Sequence, residues 1–166
     1  MLSIQIHDVK EFMNHLLKKE TFHSFSLWEA SVKTSVTYHI DGRLNPDFFN
    51  SDEREILKDQ LYISWSQIKP QLFSMIKGNK TPLSMKLILL LEGKQIDRLL
   101  SNYNIPLSQE QINGLFFNIH YDHNQLFCTT GISYATFTMD KRLETIFDDK
   151  MKLFLEHCHI SFSDRE

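Results

Sequence analysis

The sequence predicts an α+β fold: a single domain over residues 1–166, with a mainly antiparallel, curved sheet and helices packed on one face of it. Three observations carry this. Trp28, Ala30, Val32, Thr34, Val36, Tyr38 and Ile40 alternate along one stretch, as in a half-buried antiparallel strand. Val9, Phe12, Met13, Leu16 and Leu17 recur at helical spacing, and so do the apolar residues from Leu143 to Cys158. The order of segments, with a hairpin region early, helices in the middle and another hairpin late, is not the regular alternation of a doubly wound parallel sheet.

Leu2, Ile4 and Ile6 alternate as a short first strand, and Asp8 followed by Glu11 marks a capping box for the first helix. The 28–40 stretch reads as one bent strand or as two. Asp41-Gly42 reads as a tight hairpin turn with glycine supplying positive φ, after which strand resumes at Arg43 and Leu44 and ends near Pro46. Asp52 with Glu55 predicts a second capping box, leading into Ile56, Leu57 and Leu61. A further helical stretch runs through Leu72, Phe73 and Ile76, with a break or fresh start between Trp65 and Pro70 and with Gly78 as its cap. Residues 83–91 are mostly apolar and read as a central strand. Ile96, Leu99, Leu100 and Tyr103 form a short helix, and Asp140 caps the last one, which ends near His157. Ile160 and Phe162 add a final edge strand.

The stretch FNIHYDHNQLFCTTG (residues 117–131) sets two histidines around an aspartate and follows them with a cysteine. With His123-Asn124 as a two-residue turn, Tyr121 pairs with Leu126, Ile119 with Cys128, Phe117 with Thr130 and Leu115 with Ile132. Every pair then puts apolar or small residues on one face, and a slip of one residue would turn them outward. Cys128 faces the core in this register, His120 and Asp122 face away, and His123 sits at the tip. The four do not converge on a metal. His157 and His159 at a helix end suit the helix dipole, and Cys158 continues the apolar stripe. There is neither a spaced Cys/His quartet nor HExxH, so no metal and no cofactor are expected.

Other motifs are equally incomplete. Lys77-Gly78-Asn79-Lys80-Thr81 lacks the first glycine and the Gly-Lys pair of a phosphate-binding loop, and no GxSxG elbow occurs. With 166 residues, 42% hydrophobic and 23% charged, and two cysteines, the composition fits an ordinary globular protein with reduced thiols in a cytoplasmic compartment. The longest apolar run, residues 87–91, is far shorter than the roughly 20 residues of a membrane span, so no membrane association is expected.

Charge departs from the mean in one place. Residues 64–91 hold Lys69, Lys77, Lys80 and Lys86 and no acid, so the rest of the chain carries −7 against a total of −3 (−3 − 4). Lys69, Lys77 and Lys80 with Trp65 as a flat stacking surface make a candidate anion- or partner-binding patch, suited to phosphate groups or single-stranded nucleic acid. A second candidate is a sheet–helix cleft holding His39, Arg43 and His120.

YHIDGRLNPDFF (residues 38–49), WSQIKPQLFSMIKGNKTPL (65–83), NGLFFNIHYD and LFCTTGIS together resemble an uncharacterised bacterial family, a domain of unknown function of Gram-positive anaerobes. The resemblance covers nearly the whole chain and implies a complete domain in a bacterial cytoplasm, but it transfers no activity or catalytic residue. The sequence therefore favours a non-enzymatic binding or regulatory protein whose partner, a protein or an anionic ligand, meets the basic segment. The alternatives are an enzyme or small-ligand protein with its site in the cleft, and a homodimeric scaffold.

Overall fold

A computed structural model describes residues 1–57, 59–78 and 80–166. Among the described residues seven strands form one antiparallel sheet: β1 (Ser3–Ile6), β2 (Ser26–Lys33), β3 (Thr37–Asp41), β4 (Ser84–Leu91), β5 (Ile112–Asp122), β6 (Gln125–Tyr134) and β7 (Phe162–Asp164). Their order across the sheet is β3-β2-β4-β5-β6-β1-β7. The helices are α1 (Val9–Leu17), α2 (Ser51–Leu57), α3 (Trp65–Ile76), α4 (Lys94–Asn102) and α5 (Arg142–His157). Four of them, α1, α3, α4 and α5, share one hydrophobic core with the inner face of the curved sheet. The α+β architecture is as the alternating and helical periods predict.

The β5–β6 hairpin has the register deduced from side-chain alternation: Leu115 lies opposite Ile132, Phe117 opposite Thr130, Ile119 opposite Cys128 and Tyr121 opposite Leu126. Its tip residues have φ of 47° at His123 and 62° at Asn124, in the left-handed region that a two-residue turn of this hand requires. The His123 ring also pairs with Asp122 at 2.8 Å, but at 90% exposure the contact contributes little. His123→Gly is expected to change stability by less than about 1 kcal/mol, on the stabilising side, since relief of left-handed strain offsets glycine's extra chain entropy. Chemical denaturation reads it directly.

Of the two readings of residues 28–40 the structure takes the second: two strands, β2 and β3, reversing at Thr34, whose N–H donates to the Val36 carbonyl at 2.8 Å. Other local expectations are corrected. Asp41-Gly42 is therefore not the hairpin turn. Gly42 instead passes tightly over the end of β2, donating its N–H to Trp28 O at 2.9 Å. The second capping box uses Asn50 and Glu53: each backbone N–H donates to the other's side chain, at 3.1 and 2.9 Å. Ile56 beyond it is 83% exposed, because α2 buries none of its residues.

Helix α3 starts at Trp65 and runs on through Pro70. Proline there removes one hydrogen bond, to the Ser66 carbonyl, and both residues are exposed, so solvent can serve that carbonyl. The α3 cap is the extended Lys77, whose N–H returns to Phe73 O at 2.8 Å, and Asn79 lies outside the described residues. Asp8 caps α1 as expected, accepting from Glu11 N at 3.0 Å, although the Glu11 carboxylate turns to Lys19 instead of completing the box.

Candidate functional site

Helices α1 and α3 lie side by side, joined where the buried Trp65 indole donates to the Leu16 carbonyl at 2.9 Å. On α1 the stripe Phe12 and Leu16 is fully buried against the core, leaving Val9, Met13 and Leu17 as its flank. On α3, Leu72 is buried, while Phe73 and Ile76 flank it. Between these flanks opens a groove of about 620 Å³, floored by Met13, Leu17, Phe73, Ile76, Met85 and Tyr121. Tyr121 is fixed by its hydroxyl donating to Asn124 Oδ1 at 2.9 Å.

Among the described residues four lysines rim this groove, Lys10 of α1 and Lys18 just after it with Lys77 and Lys80 from the connection to β4, and no acid lines it. Lysine ion pairs among the described residues involve Lys19, Lys86, Lys141 and Lys152, not these four. An apolar floor beneath uncompensated cations suits an anionic partner with an apolar side, because such a partner is desolvated below and charge-paired at the rim.

The residues singled out from the sequence fall in three places. Lys77 and Lys80 rim the groove. Trp65 is corrected: it is 0% exposed and offers no ring for stacking. Lys69, one turn along α3, spends its ammonium on Lys19 O at 2.9 Å and on His23 Nε2 at 2.6 Å, away from the groove.

His39, Arg43 and His120 do not form a cleft. His39 and His120 lie on the open face of the sheet in one cross-strand row, His39 opposite Ser31, Ser31 opposite Lys86 and Lys86 opposite His120. Three strand spacings, about 14 Å, separate the two rings' strands. Arg43 sits elsewhere, its guanidinium 5.5 Å from the Tyr62 ring centre. Tyr62 stacks on Trp28, and Trp28 meets Phe116 edge-on at 5.1 Å, so this row packs Arg43 and Tyr62 against the sheet end.

Glu92 secures the same corner. Burial pushes its carboxyl up, opposed by the Tyr62 N–H, the Ser26 hydroxyl, the Arg43 charge and the Leu61 N–H. These partners tie its oxygens to the chain, which is an anchoring arrangement. Burial pushes the Cys128 thiol well up, leaving it a core residue with little thiolate. His15 is held below the usual histidine value by burial and by Lys19, and its Nδ1 pairs with Thr21 Oγ1 at 2.7 Å. Among the described residues no three His, Cys, Asp or Glu side chains gather as metal ligands would, and no helix is long and apolar enough to cross a membrane.

The α1 half of the groove was not singled out from the sequence. Its signal was there: Lys10, Asn14 and Lys18 repeat every four residues beside Val9, Met13 and Leu17. That stripe says only that a basic ridge borders an apolar one; it does not say which helix faces it.

Fold and groove together define an α+β protein with an open antiparallel sheet, helices on one face and a basic-rimmed groove between two of them. The chain belongs to a family of unknown function (DUF5721), whose sequence profile matches residues 15–163. No curated protein and no solved structure matches it.

Proposed function

We propose that this protein is a non-enzymatic binding or regulatory protein and that the groove between α1 and α3 receives an acidic protein segment with an apolar side. The observation that carries this is the groove lining, which among the described residues is four lysines and no acid around an apolar floor. A protein segment suits it better than single-stranded nucleic acid, because the aromatic ring expected to stack on a base is buried. Chemistry in a sheet–helix cleft has less support, since His39, Arg43 and His120 are dispersed and Cys128 is sealed in the core. A bacterial cytoplasm fits the unpaired Cys128 and Cys158 and the resemblance noted above.

Anilinonaphthalene sulfonate, an anionic aromatic probe, tests the groove. It is expected to bind saturably at low salt, with blue-shifted emission, and less tightly as salt rises. Lys77→Ala with Lys80→Ala is expected to weaken binding about tenfold while circular dichroism stays unchanged. Absence of saturable binding, or binding indifferent to the double substitution, overturns the proposal.

A further inference from the structure

Residues 46–57 form an arm that packs against no core. It consists of a short 3-10 turn (Pro46–Phe48) and α2, and neither buries a residue. Phe48 is 84% exposed and Ile56 83%. The arm is nevertheless ordered from within, by the reciprocal Asn50–Glu53 hydrogen bonds and by Arg54 Nε donating to Pro46 O at 2.9 Å. Its root is clamped, with Leu44 N donating to Leu61 O at 2.9 Å and Arg43 bridged to Tyr62. A preformed protrusion of this kind loses little conformational entropy on docking.

The arm and the groove are complementary. Asp47, Asp52, Glu53 and Glu55 against Arg54 give residues 46–57 a net charge of −3 (1 − 4), beside exposed Phe48 and Ile56. The groove presents four lysines, +4, over an apolar floor. Within one molecule they cannot meet. The arm is rooted beside Glu92, just past the end of β4, whereas Met85 of the groove lies near its start, and those seven residues span about 23 Å. The clamped root holds the arm there, and α2 is only about 10 Å long.

We infer that the groove of one copy receives the arm of a second copy, reciprocally, in a closed two-fold dimer. This rests on the reading of the groove as the site for an acidic segment with an apolar side. Two identical arm-and-groove junctions close the pair without leaving an open end, as two-fold symmetry requires.

Analytical ultracentrifugation of the full chain tests it. At low salt the wild type is expected to sediment as twice its 19.7 kDa mass and to dissociate more readily as salt rises. Lys77→Glu with Lys80→Glu in the groove, and separately Asp47→Lys with Asp52→Lys in the arm, are each expected to weaken the dimer at least about tenfold. An equimolar mixture of the two variants is expected to recover it, since acidic arm then meets basic groove at one junction and the reversed pair meets at the other. A wild type that stays monomeric at every concentration, a dimer that survives both reversals, or a mixture that fails to recover overturns the inference. Saturable, lysine-dependent binding of anilinonaphthalene sulfonate by a monomeric wild type would leave the groove reading standing without the second copy; loss of both would remove both.

Discussion

Truncating Phe117 to alanine is expected to lower the free energy of unfolding by about 3–5 kcal/mol, in the upper range for a buried large-to-small change. The ring is 0% exposed on β5, which lies between β4 and β6 in the sheet. It lies 6.2 Å from Phe22, nearly parallel, and 6.4 Å from Phe25. Phe22 in turn meets Phe12 of α1 at 5.6 Å and Phe154 of α5 at 5.5 Å. Removing the Phe117 ring therefore opens a void where the sheet, the segment after α1 and the last helix meet. Chemical denaturation with an unchanged denaturant slope measures the loss. A change below about 1 kcal/mol would mean that the opposite face of β5 points inward, which would overturn the hairpin register as well.

Replacing Gly42 with alanine is expected to cost about 3 kcal/mol or more, for a steric reason that no side-chain rearrangement relieves. A Cβ at this position would lie 1.8 Å from the Leu27 carbonyl oxygen and 2.7 Å from its carbon. Both are backbone atoms beside the bulge at Trp28 in β2, so relief requires moving the strand or the 42–63 crossing. That crossing depends on Gly42 twice, through its N–H to Trp28 O and through its carbonyl accepting from Ile63 N at 2.8 Å. Hydrogen exchange at Gly42 and Ile63 is expected to accelerate in the variant before the rest of the sheet does. Gly42→Asn separates this account from a turn with positive φ. Asparagine tolerates left-handed backbone and would be mild in such a turn, whereas here it is expected to be at least as damaging as alanine.

The contrast between these two positions shows what a reader of the sequence can and cannot recover. Phe117 was placed correctly because alternation along 115–132 is satisfied by one register and violated by its neighbours. Asp41-Gly42 reads as a turn because that dipeptide has a strong local preference. The chain uses its glycine instead for closeness to a backbone 15 residues earlier, which no local pattern reveals. Ile56 follows the same logic, since an apolar residue after a capping pair reads as a buried helix face, yet α2 buries none of its residues. Trp65 errs in the other direction: a tryptophan among lysines looks like a surface platform, yet its ring fills the joint between α1 and α3.

The candidate groove was half legible. Lys77 and Lys80 stood out by charge alone, whereas Lys10 and Lys18 acquire meaning only when α1 is laid against α3. By itself the sequence determined which faces of α1, α5, β5 and β6 are buried, the register of the β5–β6 hairpin and the α+β class, because these follow from side-chain periods of two and 3.6 along a short stretch of chain. Only the tertiary structure decided that β1 inserts between β6 and β7, that β4 lies between β2 and β5, that the basic stripe of α1 and the lysines following α3 border one groove, and that residues 46–57 stand away from the core. A periodic pattern specifies that a face must be covered. What covers it is settled by pairings between residues far apart in sequence, where loop entropy, shape and charge are balanced over the whole chain.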